Sequence, residues 1–136
     1  MKELKSNRGD DASNQLAAEL RYDASRWIGA WKNTYTETQH IAHLEIIARE
    51  SKLYIRIFGV CDPAPCDWGL AEMAIFNANV VSHHAEGFTA FYDFGYCETQ
   101  LSGVEKQNVL VISTYTTYKD NSKRHNYFLR EFYHKV

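Results

Sequence analysis

Hydrophobic and polar residues alternate along most of the chain after Arg26, which is the pattern of half-buried β-strands. The clearest example is KLYIRIFGV, in which alternate residues share one apolar face. The more apolar faces of the second and third segments, which we expect to point inward, consist of Ala42, Leu44, Ile46 and Ala48 and of Leu53, Ile55, Ile57 and Gly59. Turn residues separate the segments of this type, which are RWIGAWKNTY, HLEIIA, KLYIRIFGV, DWGLAEMAIF, GFTAFYDF, YCETQLSG, NVLVISTYTTY and RHNYFLREFYHKV. The pattern therefore predicts eight β-strands.

The connections between these segments are mostly short, and none of them has a helical pattern. Strands joined by short turns pair as antiparallel neighbours, and eight such strands can close into a small barrel without exposed edges. We therefore predict an all-β domain over residues 25–136, folded as an eight-stranded antiparallel up-and-down barrel. An open β-sandwich would accommodate the same strands if some connections crossed between two sheets.

The first 24 residues are charged and have a different periodicity. Leu16, Ala17 and Leu20 recur at helical spacing, which predicts a short amphipathic helix around residues 11–22. We treat residues 1–24 as an N-terminal segment that precedes the barrel domain.

Composition narrows the choice of partners and location. The chain has 136 residues and a formal net charge of −2, and its Lys and Arg residues are scattered, which argues against a nucleic-acid partner. No apolar run reaches the roughly 18 residues of a membrane helix, and the N-terminus lacks the apolar core of a secretion signal. We therefore predict a cytoplasmic protein with no membrane partner. Aromatic residues make up 14% of the chain, which is more than one small barrel encloses, so some should lie outside. They could contact the N-terminal helix or a second copy in a homo-oligomer, or be ordinary half-buried residues of the sheet.

The first predicted strand contains GAWKN, Gly29–Asn33. This segment resembles the G-x-W signature of the calycin barrels, the lipocalins and avidins, and its G-x-W-x-N form is similar to the opening strand of the avidins. The resemblance implies that Trp31 closes one end of the barrel interior against an arginine of the last strand, either Arg130 or Arg124. The residues with which avidins bind biotin have no counterparts that we can locate, so the resemblance does not imply biotin binding.

The segment GVCDPAPCDWG, Gly59–Gly69, contains both prolines and two of the three cysteines. It resembles a C-x-P-x-x-C-D-W-G signature of small bacterial barrel proteins. The spacing of Cys61 and Cys66 is wider than that of usual zinc pairs, and an odd cysteine count in a cytosolic chain argues against a disulfide framework. A zinc site, a Cys61–Cys66 disulfide and a catalytic cysteine remain alternatives. We favour a structural loop without metal or cofactor, in which Asp67 accepts backbone N–H bonds and Trp68 covers a barrel end.

A barrel of this size either fills its interior with side chains or encloses one small ligand. We predict that it binds a small apolar or aromatic organic molecule in its interior. The residues expected to line the site are Trp31 at the floor, with Asn33, Tyr35, Ser113, Tyr115 and Arg130.

Two alternatives for the function remain. A cofactor-independent isomerase, lyase or cyclase could use the same pocket, with a desolvated carboxyl group as acid or base. Glu72 is the candidate, because its own predicted face carries Trp68, Leu70 and Ala74. A simpler interpretation places Glu72 or Glu45 in an external salt bridge with Arg56. The second alternative is a protein-interaction module with a filled interior and an apolar outer surface.

Overall fold

The computed structural model describes residues 23–136, so the predicted N-terminal helix around residues 11–22 lies outside the described part of the chain. One 3₁₀ turn, Ser25–Trp27, precedes nine strands. The strands are β1 (Gly29–Asn33), β2 (Ile41–Arg49), β3 (Lys52–Gly59), β4 (Cys66–Glu72), β5 (Ala74–Asn77), β6 (Ala85–Asp93), β7 (Cys97–Lys106), β8 (Val109–Tyr118) and β9 (Tyr127–Lys135).

All nine strands belong to one antiparallel sheet with the order β4-β3-β2-β1-β9-β8-β7-β6-β5. The first strand pairs with the last, and the two strands at the ends of the order are separated only by Met73. The sheet therefore wraps into a nearly closed barrel. The predicted all-β antiparallel barrel is confirmed, and the alternative of an open sandwich is wrong.

The ninth strand arises because the predicted segment DWGLAEMAIF bends at Met73. Its first half, β4, pairs with β3, and its second half, β5, pairs with β6. The backbone N–H of Met73 donates to the carbonyl of Leu53 at 2.9 Å, so the bend remains bonded to β3. One bent segment thus connects β3 to β6 and nearly closes the sheet.

Two tight turns set the register of the longest hairpins. Glu50 and Ser51 between β2 and β3, and Gln107 and Asn108 between β7 and β8, all have positive φ angles of 52° to 69°. Two consecutive residues in this region are typical of the type I′ turns that match the twist of paired strands.

The inner faces of the strands are packed with mostly apolar side chains. Those that the structure buries are Trp31, Ile41, Leu44, Ile46, Ala48, Leu53, Ile55, Ile57, Ala71, Met73, Phe88, Ala90, Tyr92, Leu101, Leu110, Ile112 and Tyr133. The inward faces predicted for β2 and β3 agree with this set except near Ile41, where a register shift between Ile41 and His43 turns Ile41 inward in place of Ala42.

The end of the barrel at which β1 begins is closed by two indole rings. Trp27 and Trp31 are both buried, and Trp31 Nε1 donates to the carbonyl of Trp27 at 2.9 Å. The Trp27 ring also packs edge-on against Phe88, with ring centroids 5.3 Å apart. Trp31 therefore lies inside the barrel, as the calycin resemblance implied.

The cation near Trp31 is not the expected arginine. Lys135 Nζ lies 5.2 Å from the centre of the Trp31 ring and donates to the carbonyl of Arg26 at 2.9 Å. Arg130 cannot reach Trp31, because it alternates with the inward residues of β9 and its side chain lies on the outer face beside Ser113. Arg124 lies over Tyr118 near the other end of the barrel. Lys135, which is the register partner of Trp31, thus takes the position that the resemblance gave to an arginine.

We predict that Leu44→Ala strongly destabilises the domain. Leu44 is fully buried opposite Trp31, so removing its side chain leaves a cavity against the indole and costs about 2–5 kcal/mol. Urea unfolding followed by tryptophan fluorescence measures the change. Val81→Ala is the control, since Val81 is 81% exposed and its truncation should change stability by less than about 0.5 kcal/mol. A loss for Leu44→Ala as small as that of the control would contradict a packed interior.

Candidate functional site at the barrel mouth

The end of the barrel opposite Trp27 contains a cavity, and we call this end the mouth. It lies where β3 ends and β9 begins, under the connections of residues 34–40 and 60–65. The cavity has a volume of about 150 Å³ and is lined by Gln39, His40, Ile41, Gly59, Val60, Cys61, Trp68, Thr114, Tyr127 and Leu129. The lining of the mouth is therefore about equally polar and apolar.

Trp68 forms one wall of the mouth. Its ring packs edge-on against Tyr92 and Phe94, with ring centroids 5.4 Å and 5.2 Å apart. A Cβ atom added at Gly59 would lie only 2.7 Å from Trp68 Nε1, so the indole contacts the backbone at a position where the chain has no side chain. Close contacts on both sides therefore hold Trp68 at the barrel end, where the sequence predicted it.

Tyr92 fixes the backbone behind this wall. Its hydroxyl donates to the carbonyl of Gly69 at 2.8 Å and lies 3.2 Å from the carbonyl of Ile55. Burial raises the pKa of the Tyr92 hydroxyl far above its ordinary value. The group therefore remains a protonated donor and takes a structural role.

The opposite wall of the mouth is formed by rings near the start of β9. The imidazole of His40 and the ring of Tyr127 lie 5.8 Å apart, and Tyr127 lies 6.4 Å from Tyr118. The guanidinium of Arg124 lies 4.4 Å from the centre of the Tyr118 ring. These groups give the rim an aromatic surface with donors and acceptors at its edge.

The connection above the mouth is bonded to the barrel through Glu131. Asn33 Nδ2 donates to Glu131 Oε1 and to the carbonyl of Ile41, both at 2.9 Å. Thr38 Oγ1 donates to Glu131 Oε2 at 2.8 Å, and the backbone N–H of Tyr35 donates to Asn33 Oδ1 at 2.8 Å. Asn33 and Glu131 therefore shape the mouth by positioning the connection of residues 34–40.

Cys61 and Cys66 form a disulfide that closes the connection between β3 and β4, with Cα atoms 5.5 Å apart. The sequence left this disulfide open as one of three alternatives, although the odd cysteine count argued against a disulfide framework. The odd count is explained by Cys97, a buried free thiol. In the disulfide neither sulfur is a thiolate, so Cys61 and Cys66 cannot act there as zinc ligands or nucleophiles. Disulfides are rare in reducing compartments, so the bond does not support our prediction of a cytoplasmic location.

Asp67 caps the same loop, as the sequence predicted. The backbone N–H of Gly69 donates to Asp67 Oδ1 at 2.9 Å, and Arg56 forms a salt bridge with the carboxylate. Arg56 and, after it, the Gly69 amide lower the pKa of Asp67 below its usual range. Glu45 is the register partner of Arg56 but forms no salt bridge with it within residues 23–136, so the partner of Arg56 is Asp67 and not the predicted Glu45 or Glu72.

The structure separates the residues that were predicted to line one pocket. Trp31 lies in the closed end of the barrel, Asn33 is buried beneath the connection above the mouth, and Tyr35 is 59% exposed in that connection. Ser113, Tyr115 and Arg130 belong to the outer face of β8 and β9.

Glu72 also lies outside the barrel. Its side chain is 54% exposed, and its carboxylate is 3.4 Å from Lys52 Nζ. The expectation of a desolvated acid or base at Glu72 is therefore wrong. Glu72 forms an external salt bridge, as the alternative predicted, but its partner is Lys52 and not Arg56.

The mouth residues that sequence reasoning missed are His40, Thr114, Tyr127 and Leu129. On β8 the sequence did contain a signal for Thr114. Thr114 shares its face with Leu110 and Ile112, which are both apolar, and an apolar face is expected to point inward. On β9 both faces carry aromatic residues, so the sequence contained no comparable signal.

Within residues 23–136 no group of three or more His, Cys, Asp and Glu side chains is placed to bind a metal ion. The same residues include no helix that is long and apolar enough to cross a membrane. Comparisons with protein-family models, with curated proteins and with solved structures found no match to this chain. The agreement with calycin barrels therefore rests on the nearly closed antiparallel barrel itself.

We predict that the native protein contains one free thiol and one disulfide. Alkylation in denaturant without reductant should modify Cys97 alone, and mass spectrometry should detect all three cysteines as modified after reduction. Replacing Cys61 and Cys66 by serine should cost about 2 kcal/mol, because the bond closes only a short loop. Three reactive thiols in the unreduced protein would contradict the disulfide.

We also predict a loss of stability in acid that depends on Asp67. Because the folded pKa of Asp67 is lowered, its contribution is complete above the unfolded value of about 3.9 and is lost as the pH falls through the lower folded pKa. Thermal unfolding between about pH 5 and pH 2 should show a smaller acid-induced decrease in Tm for Asp67→Asn than for the unmodified protein. Asp62→Asn, an exposed carboxyl change in the same loop, should leave the decrease unaltered.

Proposed function

We propose that the protein binds a small apolar or aromatic molecule inside the barrel, at the mouth. The observation that carries this proposal is the cavity of about 150 Å³ between Trp68, Ile41 and Leu129. A cavity of about this size accommodates one benzene-sized ring. The preferred occupant is therefore a single ring or a compound of similar volume.

The polar groups of the mouth suggest how the ring would be oriented. His40, Thr114 and Tyr127 line the cavity and offer hydrogen-bonding groups beside the apolar part of the lining. Trp68 and Tyr127 also offer aromatic surfaces for stacking. A ring with one hydroxyl or similar substituent satisfies both parts of the lining.

Binding is favoured over catalysis because the nearby carboxylates already have partners. Glu131 accepts bonds from Asn33 and Thr38, and Glu72 is exposed on the outer face. An isomerase, lyase or cyclase using this cavity would depend on His40 or Tyr127 for proton transfer, since these are the lining residues with titratable side chains outside the disulfide. Substitution of either residue would then abolish turnover while leaving ligand affinity measurable.

Phenol is a suitable probe, because it combines one ring with one hydroxyl. We expect binding with a Kd on the order of 1 mM, as befits a fragment of this size, and a shift of the Trp68 indole signal in NMR titration. Leu129→Phe should weaken binding at least about tenfold, because the larger ring occupies the cavity. The matched control is Leu70→Phe, which makes the same change at an exposed position of β4.

If Leu129→Phe does not fold, His40→Ala provides a second test, because it removes a polar wall group without filling the cavity. Unchanged phenol affinity in a folded Leu129→Phe protein would contradict the proposed site. Native mass spectrometry of protein purified from its own host should detect a co-purifying compound small enough for one ring, and a much larger compound would contradict the proposed ligand class.

A further inference from the structure

The outer face of the barrel has a second and larger cavity, which the proposed function does not use. It has a volume of about 720 Å³ and is lined by Phe76, Gly87, Phe88, Thr89, Ser102, Gly103, Val104, Val111, Ser113, Arg130 and Phe132. We call this cavity the trough. Its volume lies within the range of about 300–1,000 Å³ that is typical of small-molecule sites.

Strand register explains the shape of the trough. Thr89, Ser102, Ser113 and Arg130 are successive register partners across β6, β7, β8 and β9, so they form one row across the outer face. The first three have small hydroxyl side chains and make a low floor. Because neighbouring strands lie about 4.8 Å apart, this row extends over roughly 14 Å before any side-chain length is added.

A row of larger apolar side chains borders this floor. Val104, Val111 and Phe132 are register partners two residues along the strands, and Phe76 continues the row through Gly87. Phe76 and Phe132 are about half exposed. The glycine and the small floor residues leave a depression beside these rings, which is unusual on an outer sheet surface, where bulky polar residues are the norm.

The trough has one charged residue, Arg130, at one end of the floor row. Its Nε donates to the hydroxyl of Ser113 at 3.1 Å, and Ser113 is itself 8% exposed. Within residues 23–136 the terminal Nη atoms of Arg130 have neither a hydrogen-bond partner nor an acidic partner, although the guanidinium lies 5.5 Å from the Phe128 ring. A guanidinium fixed through Nε presents its remaining donors in the planar arrangement that matches a carboxylate.

We propose that the trough binds a free amphiphilic carboxylate. The carboxylate contacts Arg130 and Ser113, and a single alkyl or aryl tail lies over the hydroxyl floor against Val104, Val111 and Phe132. The head group is expected to be an anion, because the one charged residue of the lining is a cation. The tail is expected to be long and apolar, because the row is long and its wall is apolar.

Dodecanoate is the probe, and isothermal titration of the full 136-residue chain below the micelle concentration is the measurement. We expect one molecule bound per chain. Arg130→Gln should weaken binding about five- to tenfold through loss of the charge-assisted pair, whereas Arg49→Gln, which removes an exposed arginine of β2, should not. Dodecyltrimethylammonium has the same tail with the opposite charge and should bind at least about fivefold more weakly than dodecanoate.

A second variant tests the shape of the trough without changing its charge. Ser102→Leu raises the floor and should weaken binding of dodecanoate, although Arg130 is retained. Leu129→Phe, which fills the mouth, should leave dodecanoate affinity unchanged. If Leu129→Phe abolishes dodecanoate binding, the ligand occupies the mouth, so the trough proposal is wrong; the phenol titration tests the proposed function separately.

Two further results would overturn the proposal. Equal affinity of the Arg130→Gln variant and the unmodified protein for dodecanoate would exclude recognition of the head group by Arg130. A dimer in sedimentation analysis that Phe132→Ser converts to monomer, together with no dodecanoate binding, would assign the trough to a second copy of the chain.

Discussion

Closure of the hydrogen-bonded sheet is the constraint on which the rest of the structure depends. β1 pairs with β9, and the bend at Met73 lets one segment pair with both β3 and β6. Together these two features turn the inner faces of all the strands toward a common interior. Without them the same alternating strands would form an open sheet with exposed edges, and Trp31 would have no enclosed position.

The two ends of this interior differ because their side chains differ in volume. Trp27 and Trp31 fill the end at which β1 begins, and their hydrogen bond joins the 3₁₀ turn to the barrel. At the mouth the interior is left partly empty, and the absence of a side chain at Gly59 makes room for the Trp68 ring. The barrel is therefore filled at one end and contains a cavity at the other. The disulfide and the Glu131 cluster support the connections that surround it.

The outer face is equally important to any account of what the barrel binds. A row of small hydroxyl residues lies beside a row of larger apolar residues, and together they form a depression on the outer face. The folding of a single barrel does not require such a depression. This distribution places Ser113 and Arg130, two residues expected inside, in a second site on the outside. The similarity to calycin barrels is that of the nearly closed antiparallel barrel, and the cation near the Trp31 ring is Lys135.

The sequence by itself determined the all-β class, most of the strand positions, the inward faces of β2 and β3, and the place of Trp68 and Asp67 in their loop. These followed from alternation and turn chemistry, which are local properties. Alternation shows which residues share a face, but it does not show which face turns inward when both carry large side chains, as on β9. Only the tertiary structure decided that Leu129 and Tyr127 line the mouth while Arg130 lies outside, because curvature and closure of the whole sheet select the inner face.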